Sequence, residues 1–193
     1  MATFSNTLKH SAAVISVEEY IRSFNNAEYF LSLCAQCPSY GKKWCCPPFE
    51  GSPLETISHL KYAHIFGTQI FFSKEEILES RIEKNGEKTS RSAVENFCKA
   101  EHSKLLDLRD KNAPAVAFSV GCYLCPEGSC ARLEGKPCRH PSRMLHSLES
   151  FGFDLSRTAS QLLGTELLWN SGGVLPEYAT VVTALFTDNK KLR

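Results

Sequence analysis

Short apolar runs alternate with stretches of helical periodicity along the first two thirds of the chain. A serine followed three residues later by a glutamate marks a helix start, because its hydroxyl accepts a hydrogen bond from a backbone N–H; such capping boxes begin at Ser16 and Ser52. We therefore expect helices over VEEYIRSF and after Ser52. The runs that predict strands are residues 12–16, 67–73 and 115–120.

The longest helical pattern covers residues 92–112, where apolar residues recur at spacings of three, four and seven. Two shorter helices are predicted over residues 141–150 and 155–163, each followed by a glycine stop, and TELLW with YATVVTALF predicts a closing strand pair. The fold class is therefore α/β, with α+β as the alternative. Its architecture is a mixed sheet packed with helices, with two cysteine-rich metal-binding loops.

Length and charge narrow the class of protein. With 193 residues and 42% hydrophobic content, the chain is expected to form a single metal-binding domain over residues 1–193. The formal net charge of +1, without a long basic run, argues against nucleic-acid binding. The sequence shows neither a signal peptide nor a run of membrane-spanning length, so we expect a cytoplasmic protein that does not bind a membrane.

Nine cysteines are more than a chain of this length needs as structural cross-links. In a reducing cytoplasm, clustered thiols are typical of metal binding or redox chemistry, and two intervening residues let both thiols of a Cys-x2-Cys pair face one ion or cluster. We expect metal or cofactor binding by a first group of Cys34, Cys37 and Cys46 and by a second group of Cys122, Cys125, Cys130 and Cys138.

The spacing favours an iron–sulfur cluster over zinc without excluding zinc. Zinc takes four thiolates at tetrahedral corners, and the two Cys-x2-Cys pairs would supply them but leave three cysteines unexplained. The wider steps of the second group suit a [4Fe-4S] cluster, as do the prolines beside its cysteines. The second group alone supplies four ligands.

The first group lacks an evident fourth ligand. Cys45 directly precedes Cys46, so in an extended loop their side chains are expected to diverge. Three arrangements stay open: a second cluster with a ligand from elsewhere, a cluster with one open iron position, or one centre shared with the second group. The chain would then hold one or two [4Fe-4S] clusters.

Four other residues have simpler interpretations. Cys98 lies on the apolar face of the longest helix and is expected to be a small core residue. His140 is a candidate ligand or a donor to one, although a histidine in a polar loop is more often neither. Tyr40 and Trp44 would either shield the first group from solvent or anchor its loop.

The blocks CAQCPSYGKKWCCPP (34–48), GCYLCPEGSCARLEGKPCRHP (121–141), ESFGFDL (149–155) and LPEYATVVTALF (175–186) resemble a family of predicted metal-binding proteins, domain of unknown function 2284. The resemblance spans most of the chain and implies a metal centre, of iron–sulfur type, in prokaryotes with anaerobic redox metabolism. It implies no reaction. Cys45 is an addition to the family pattern.

The function expected from the sequence is an iron–sulfur protein that transfers electrons to a partner protein or activates it reductively. The chain carries no second cofactor motif, so the electrons would come from a separate donor. One alternative is a zinc-stabilised interaction module without a redox role. Another is a metal-free thiol enzyme with a reactive cysteine of low pKa.

Overall fold

The computed structural model describes residues 6–193 and has a four-stranded sheet at its centre. The strand order is β1-β2-β4-β3, and each neighbouring pair is antiparallel. The α+β alternative is therefore the correct fold class for these residues. The strands are β1 (Thr7–Ser16), β2 (Tyr62–Phe71), β3 (Ala115–Phe118) and β4 (Tyr178–Thr187).

Five α-helices accompany this sheet within residues 6–193. They are α1 (Val17–Phe24), α2 (Ala27–Ala35), α3 (Lys74–Glu83), α4 (Gly86–Lys111) and α5 (Leu155–Leu162), and short 3₁₀ helices form at Pro53–Thr56, Ala131–Glu134 and Glu149–Phe151. None of the helices between residues 6 and 193 is long and apolar enough to span a membrane.

Of the two predicted helix starts, the one whose serine hydroxyl accepts a hydrogen bond from a backbone N–H was correct. The Ser16 hydroxyl accepts from the Glu19 N–H at 3.2 Å and begins α1 as predicted. Ser52 makes no such bond, and only a 3₁₀ turn follows it. The capping box at Ser73, which begins α3, is complete in both directions but was not predicted.

Two predicted elements are wrong, because backbone carbonyls of these segments accept hydrogen bonds from distant parts of the chain. Residues 141–150 do not form a helix: the His146 carbonyl accepts from the Ser119 N–H at 2.9 Å and continues the pairing beyond β3. TELLW, residues 165–169, is not a strand. β3 pairs only with residues 184–187 of β4, and TELLW meets β4 through a side-chain bond, which the Thr180 hydroxyl donates to the Glu166 carbonyl at 3.4 Å.

The central strands β2 and β4 are buried on both faces, whereas no residue of the edge strand β1 is buried. Along β4, Val182, Ala184 and Phe186 pack with α1 on one face, and Val181 and Leu185 pack in the clusters of the opposite face. The cluster on the α1 face includes Tyr20, whose ring stacks on Phe153 at 4.6 Å between centroids. This burial on both faces stabilises the fold.

Gly67 in β2 allows the closest approach of this packing. A Cβ there would lie 2.7 Å from the Ser11 Oγ and 2.8 Å from the Leu163 Cδ1, closer than non-bonded atoms approach each other. The absent side chain lets the end of α5 rest on the sheet.

Candidate metal centre

The first cysteine group lies in a series of turns that follows α2. Cys34 belongs to the last turn of α2, and the Cys37 N–H donates to the Cys34 carbonyl at 3.0 Å. The returning chain is held by the Gly41 N–H, which donates to the Pro47 carbonyl at 2.8 Å. The turns bring Cys46 back beside the first two cysteines.

The thiols of this group act on one another electrostatically. Burial raises the pKa of Cys34, and the charges of Glu149 and Cys37 add to the rise. The pKa of Cys46 is lowered by a hydrogen bond from Cys45 and by the charge of Lys43, although burial and the charges of Cys37 and Cys34 oppose this. The three cysteines of the first group are thus brought together.

The expectation that Cys45 and Cys46 diverge is wrong. Their Sγ atoms lie 3.8 Å apart, because this segment is a turn, closed by the Cys46 N–H donating to the Lys43 carbonyl at 3.0 Å, rather than extended chain. Side chains alternate between opposite sides only in extended backbone. Cys45 therefore belongs to the first thiol cluster.

The second cysteine group follows β3, as the sequence predicts, and is also built from turns. The Ser129 N–H donates to the Pro126 carbonyl at 3.1 Å, and Arg139 Nη1 donates to the Ser129 carbonyl at 2.6 Å. The His140 backbone N–H donates to Cys138 Sγ at 3.4 Å. An N–H aimed at sulfur favours the thiolate form that a metal binds.

Arg132 joins the two cysteine loops. Its guanidinium donates to the carbonyl groups of Lys43 at 2.9 Å, Cys46 at 2.5 Å and Pro48 at 2.7 Å. Its cation also lies 5.2 Å from the centroid of the Trp44 ring. Arg132 is therefore a structural clamp rather than a solvated loop charge.

Trp44 adds a second bond between the loops. Its Nε1 donates to the Lys136 carbonyl at 2.9 Å, so this aromatic residue anchors its loop, as one of its two interpretations held. The Lys43 Nζ lies 5.9 Å from the centroid of the Tyr123 ring, beside Cys122. The two loops form one continuous region.

A chain of three thiols runs through the junction of the loops. Cys122 is hydrogen-bonded to Cys45, and this bond, with burial, raises the pKa of Cys122 above its ordinary value. The bond from Cys122 lowers the pKa of Cys45, but the bond to Cys46 and burial outweigh it and raise the pKa to about 11. The thiols of Cys122, Cys45 and Cys46 are thus neighbours, and the shifts of pKa favour negative charge on Cys46 over the other two.

Sequence reasoning did not identify Glu149 as a neighbour of this site. Its backbone carbonyl accepts from the Cys34 thiol at 3.9 Å, and its Oε2 is buried without a hydrogen-bond partner among the described residues. Burial raises the pKa of this carboxyl. The only sequence signal was its position at the start of the ESFGFDL block.

Cys98 lies apart from both groups, as predicted. It is buried in a cluster with Ile70, Phe97 and Val181, and burial raises the pKa of its thiol. It is a core residue of α4 that packs on the sheet.

All nine cysteines are free thiols. Within residues 6–193, no three His, Cys, Asp or Glu side chains stand in an arrangement that could already hold a metal ion. The donors nevertheless fit a thiophilic centre: they are soft sulfur ligands in neighbouring loops with N–H groups and cations beside them. Of the seven predicted ligands, Cys46 lies near enough to Cys34 and Cys37 for their charges to act on it, and Cys122 lies against Cys45.

These features define a class, an α+β protein with two thiol-rich loops clamped side by side. The sequence pattern of DUF2284, predicted metal-binding protein, matches residues 20–184, and the chain belongs to this family. Comparisons with curated proteins and with solved structures find no match.

Proposed function

We propose that this protein binds an iron–sulfur centre through the two cysteine loops and serves in electron transfer to a partner protein or in its reductive activation. The observation that carries the proposal is the Arg132 clamp, which holds two thiol-rich loops together without any disulfide between their free cysteines. The proposed ligands are Cys34, Cys37, Cys46, Cys122, Cys125, Cys130 and Cys138.

When bound, such a centre supplies one-electron chemistry. The residues of the chain would position and tune it. Arg132 fixes the relative position of the loops, Lys43 supplies positive charge beside Cys46, and the His140 N–H donates to Cys138 Sγ, which fixes the direction of that sulfur. Since no nicotinamide or flavin motif is evident in the sequence, we expect a separate electron donor and acceptor.

A structural zinc module is the second candidate. The 3.8 Å separation of the Cys45 and Cys46 sulfurs favours it at the first group, because two thiolates on one tetrahedral ion stand at about that distance. In that case the metal would stabilise the loops, and function would lie on a protein-binding surface.

Metal analysis of protein purified without oxygen separates the two candidates. Iron, zinc and acid-labile sulfide are measured per chain, with a visible spectrum before and after dithionite. About eight irons with matching sulfide would indicate two cubanes, and about four would indicate one. Zinc without sulfide would exclude the redox function and leave the structural module.

A matched pair of variants tests the ligand assignment. Cys130→Ser is expected to lose metal and to weaken folding, because a ligand is removed. Cys98→Ala is expected to keep its metal and to lose only packing, about 1 kcal/mol of unfolding free energy. If Cys130→Ser keeps the full metal content and spectrum, the assignment of the second group is wrong.

A further inference from the structure

We propose that Cys45 is a metal-binding thiol that completes the first cysteine group and shares one metal ion with Cys46. This inference rests on the proposed metal-binding function. It assigns an eighth ligand, at a position that is an addition to the family pattern.

The first argument is the distance between the neighbouring sulfurs. A thiolate lies about 2.3 Å from a tetrahedral zinc ion, so two thiolates on that ion are separated by about 1.63 times this length, or about 3.8 Å. Cys45 Sγ and Cys46 Sγ stand 3.8 Å apart. A disulfide would need about 2.05 Å, so the two thiols are free and in contact, and their separation is one that a shared tetrahedral ion would accept without movement of the turn.

The same distance specifies the kind of centre. Tetrahedral coordination by sulfur is typical of zinc and of iron in thiolate sites. A cubane distributes its four thiolates over four different irons, whereas Cys45 and Cys46 are placed to bind one ion together. At the first group this inference therefore favours a single thiolate-bound ion, the second candidate above, over a second cubane.

The second argument is the environment of Cys45 compared with that of Cys98. Both residues are almost fully buried, with 3% and 4% of their surface exposed. Cys98 packs with the apolar side chains of Ile70, Phe97 and Val181, and its hydrogen bonds are to Ser119 and the Val120 backbone, so it meets no other thiol. Cys45 instead contacts the thiols of Cys46 and Cys122. The buried Cys45 sulfur therefore lies against other cysteine sulfurs and not only against apolar side chains.

The third argument is that the surroundings of the pair suit thiolate ligands. Metal binding displaces the thiol protons to solvent, which leaves negative charge on sulfur. The Lys43 ammonium acts on Cys46, and the Arg132 guanidinium donates to the Cys46 carbonyl. Both cations offset that charge. The His146 Nδ1 lies 3.2 Å from the Cys45 carbonyl oxygen, and the His146 ring packs edge-on against Phe49. These two contacts hold the turn in place.

Cadmium-113 is the probe for the wild-type protein, because it binds thiolates and its coupling to cysteine β-protons identifies each ligand by NMR. Metal-free protein is loaded with ¹¹³Cd²⁺ under reducing conditions, and proton–cadmium correlations are recorded. We expect the Cys45 and Cys46 β-protons to correlate with the same cadmium resonance. Correlations of Cys34, Cys37 and Cys46 without Cys45 would overturn the inference and leave the proposed function standing. If no cysteine correlates, the inference fails, and the iron and sulfide analysis described above decides the proposed function.

The variants Cys45→Ser and Cys98→Ser form the matched pair, since each replaces one buried thiol by a hydroxyl. Cys45→Ser is expected to weaken Cd²⁺ binding at the first group by at least about tenfold, the lower end of the loss seen when groups that merely orient ligands are removed. Cys98→Ser is expected to bind with the affinity of the wild type. Equal affinities in the two variants would show that Cys45 only packs.

Discussion

Both faces of the sheet are covered by apolar side chains, whereas the two cysteine loops are joined by polar groups that bond to backbone carbonyls. Phe186 and Tyr20 are fully buried in the core, but the loops depend on Arg132 and Trp44. Burial of apolar area is non-directional and is shared by many contacts. The loops instead rest on a few directional bonds, so their order should depend on those bonds and on a metal.

From this difference between core and loops, we expect that substitutions can perturb folding and metal binding separately. Substitutions in the core should change the free energy of unfolding of the metal-free protein. Substitutions in the clamp should change metal affinity while leaving the sheet intact. Variants that violate this separation would reveal where the two regions depend on each other.

The largest effect on stability is expected from Phe186→Ala. This side chain is fully buried in β4, and removing a buried Phe costs about 3–5 kcal/mol of unfolding free energy. Urea unfolding of the metal-free protein gives the value. Leu133→Ala is the control in the second loop, where the leucine is half exposed, and should cost far less. Similar losses in both variants would contradict a core centred on the sheet.

Gly152→Ala should affect both regions. Gly152 has φ +86, and a Cβ there would lie 2.5 Å from the Ala27 Cα at the start of α2, the helix that carries Cys34. Left-handed backbone costs a residue with a Cβ about 1–2 kcal/mol, and overpacking adds about 1–3 kcal/mol.

Gly164→Ala separates these two contributions. Gly164 also has positive φ, +63, but a Cβ there meets nothing within 4 Å, so only the backbone cost applies. Unfolding free energy and Cd²⁺ affinity are measured for both variants. We expect a loss of affinity only in Gly152→Ala, because only that change displaces α2. Equal affinities would show that the position of α2 does not control the first group.

Arg132→Lys should weaken metal binding by about 10–100-fold, the range for residues that position ligands, with little change in the stability of the sheet. A lysine ammonium cannot replace the planar fork that contacts three carbonyls. Arg139→Lys is the control, since Arg139 donates to a carbonyl within the second loop alone. Titration of the metal-free variants with Zn²⁺ measures both. An unchanged affinity in Arg132→Lys would refute the clamp.

The smallest expected effect is a change in how the unfolding free energy of the metal-free protein depends on pH. Burial lowers the pKa of His102 on α4, with the charges of Arg143 and Arg109 adding to the shift. The unfolded chain then binds a proton more readily than the folded one, so stability is retained above about pH 6.5 and falls as pH drops below it. His102→Gln should reduce this slope in the metal-free protein. The remaining slope includes His146, whose pKa burial also lowers. A slope that His102→Gln leaves unchanged would contradict the shift.

Local sequence signals predicted the elements whose cause is local. Ser16 caps α1, the helix expected over residues 155–163 forms as α5, and the apolar run of β3 leads into the second cysteine group. The signals failed for residues 141–150 and for TELLW, because hydrogen bonding in a sheet depends on which strands are neighbours. Periodicity contains no information about neighbours.

For the candidate site, the sequence by itself determined which residues are the candidate ligands, through the thiols, their Cys-x2-Cys spacing and the family pattern. Only the tertiary structure decided how they meet, because turns and long-range bonds set the direction of each side chain. It turned Cys45 toward Cys46, set Cys122 against Cys45 and clamped the two loops through Arg132. Residues far apart in the chain meet only once the sheet and its helices have packed together. A local sequence pattern contains no information about such long-range contacts.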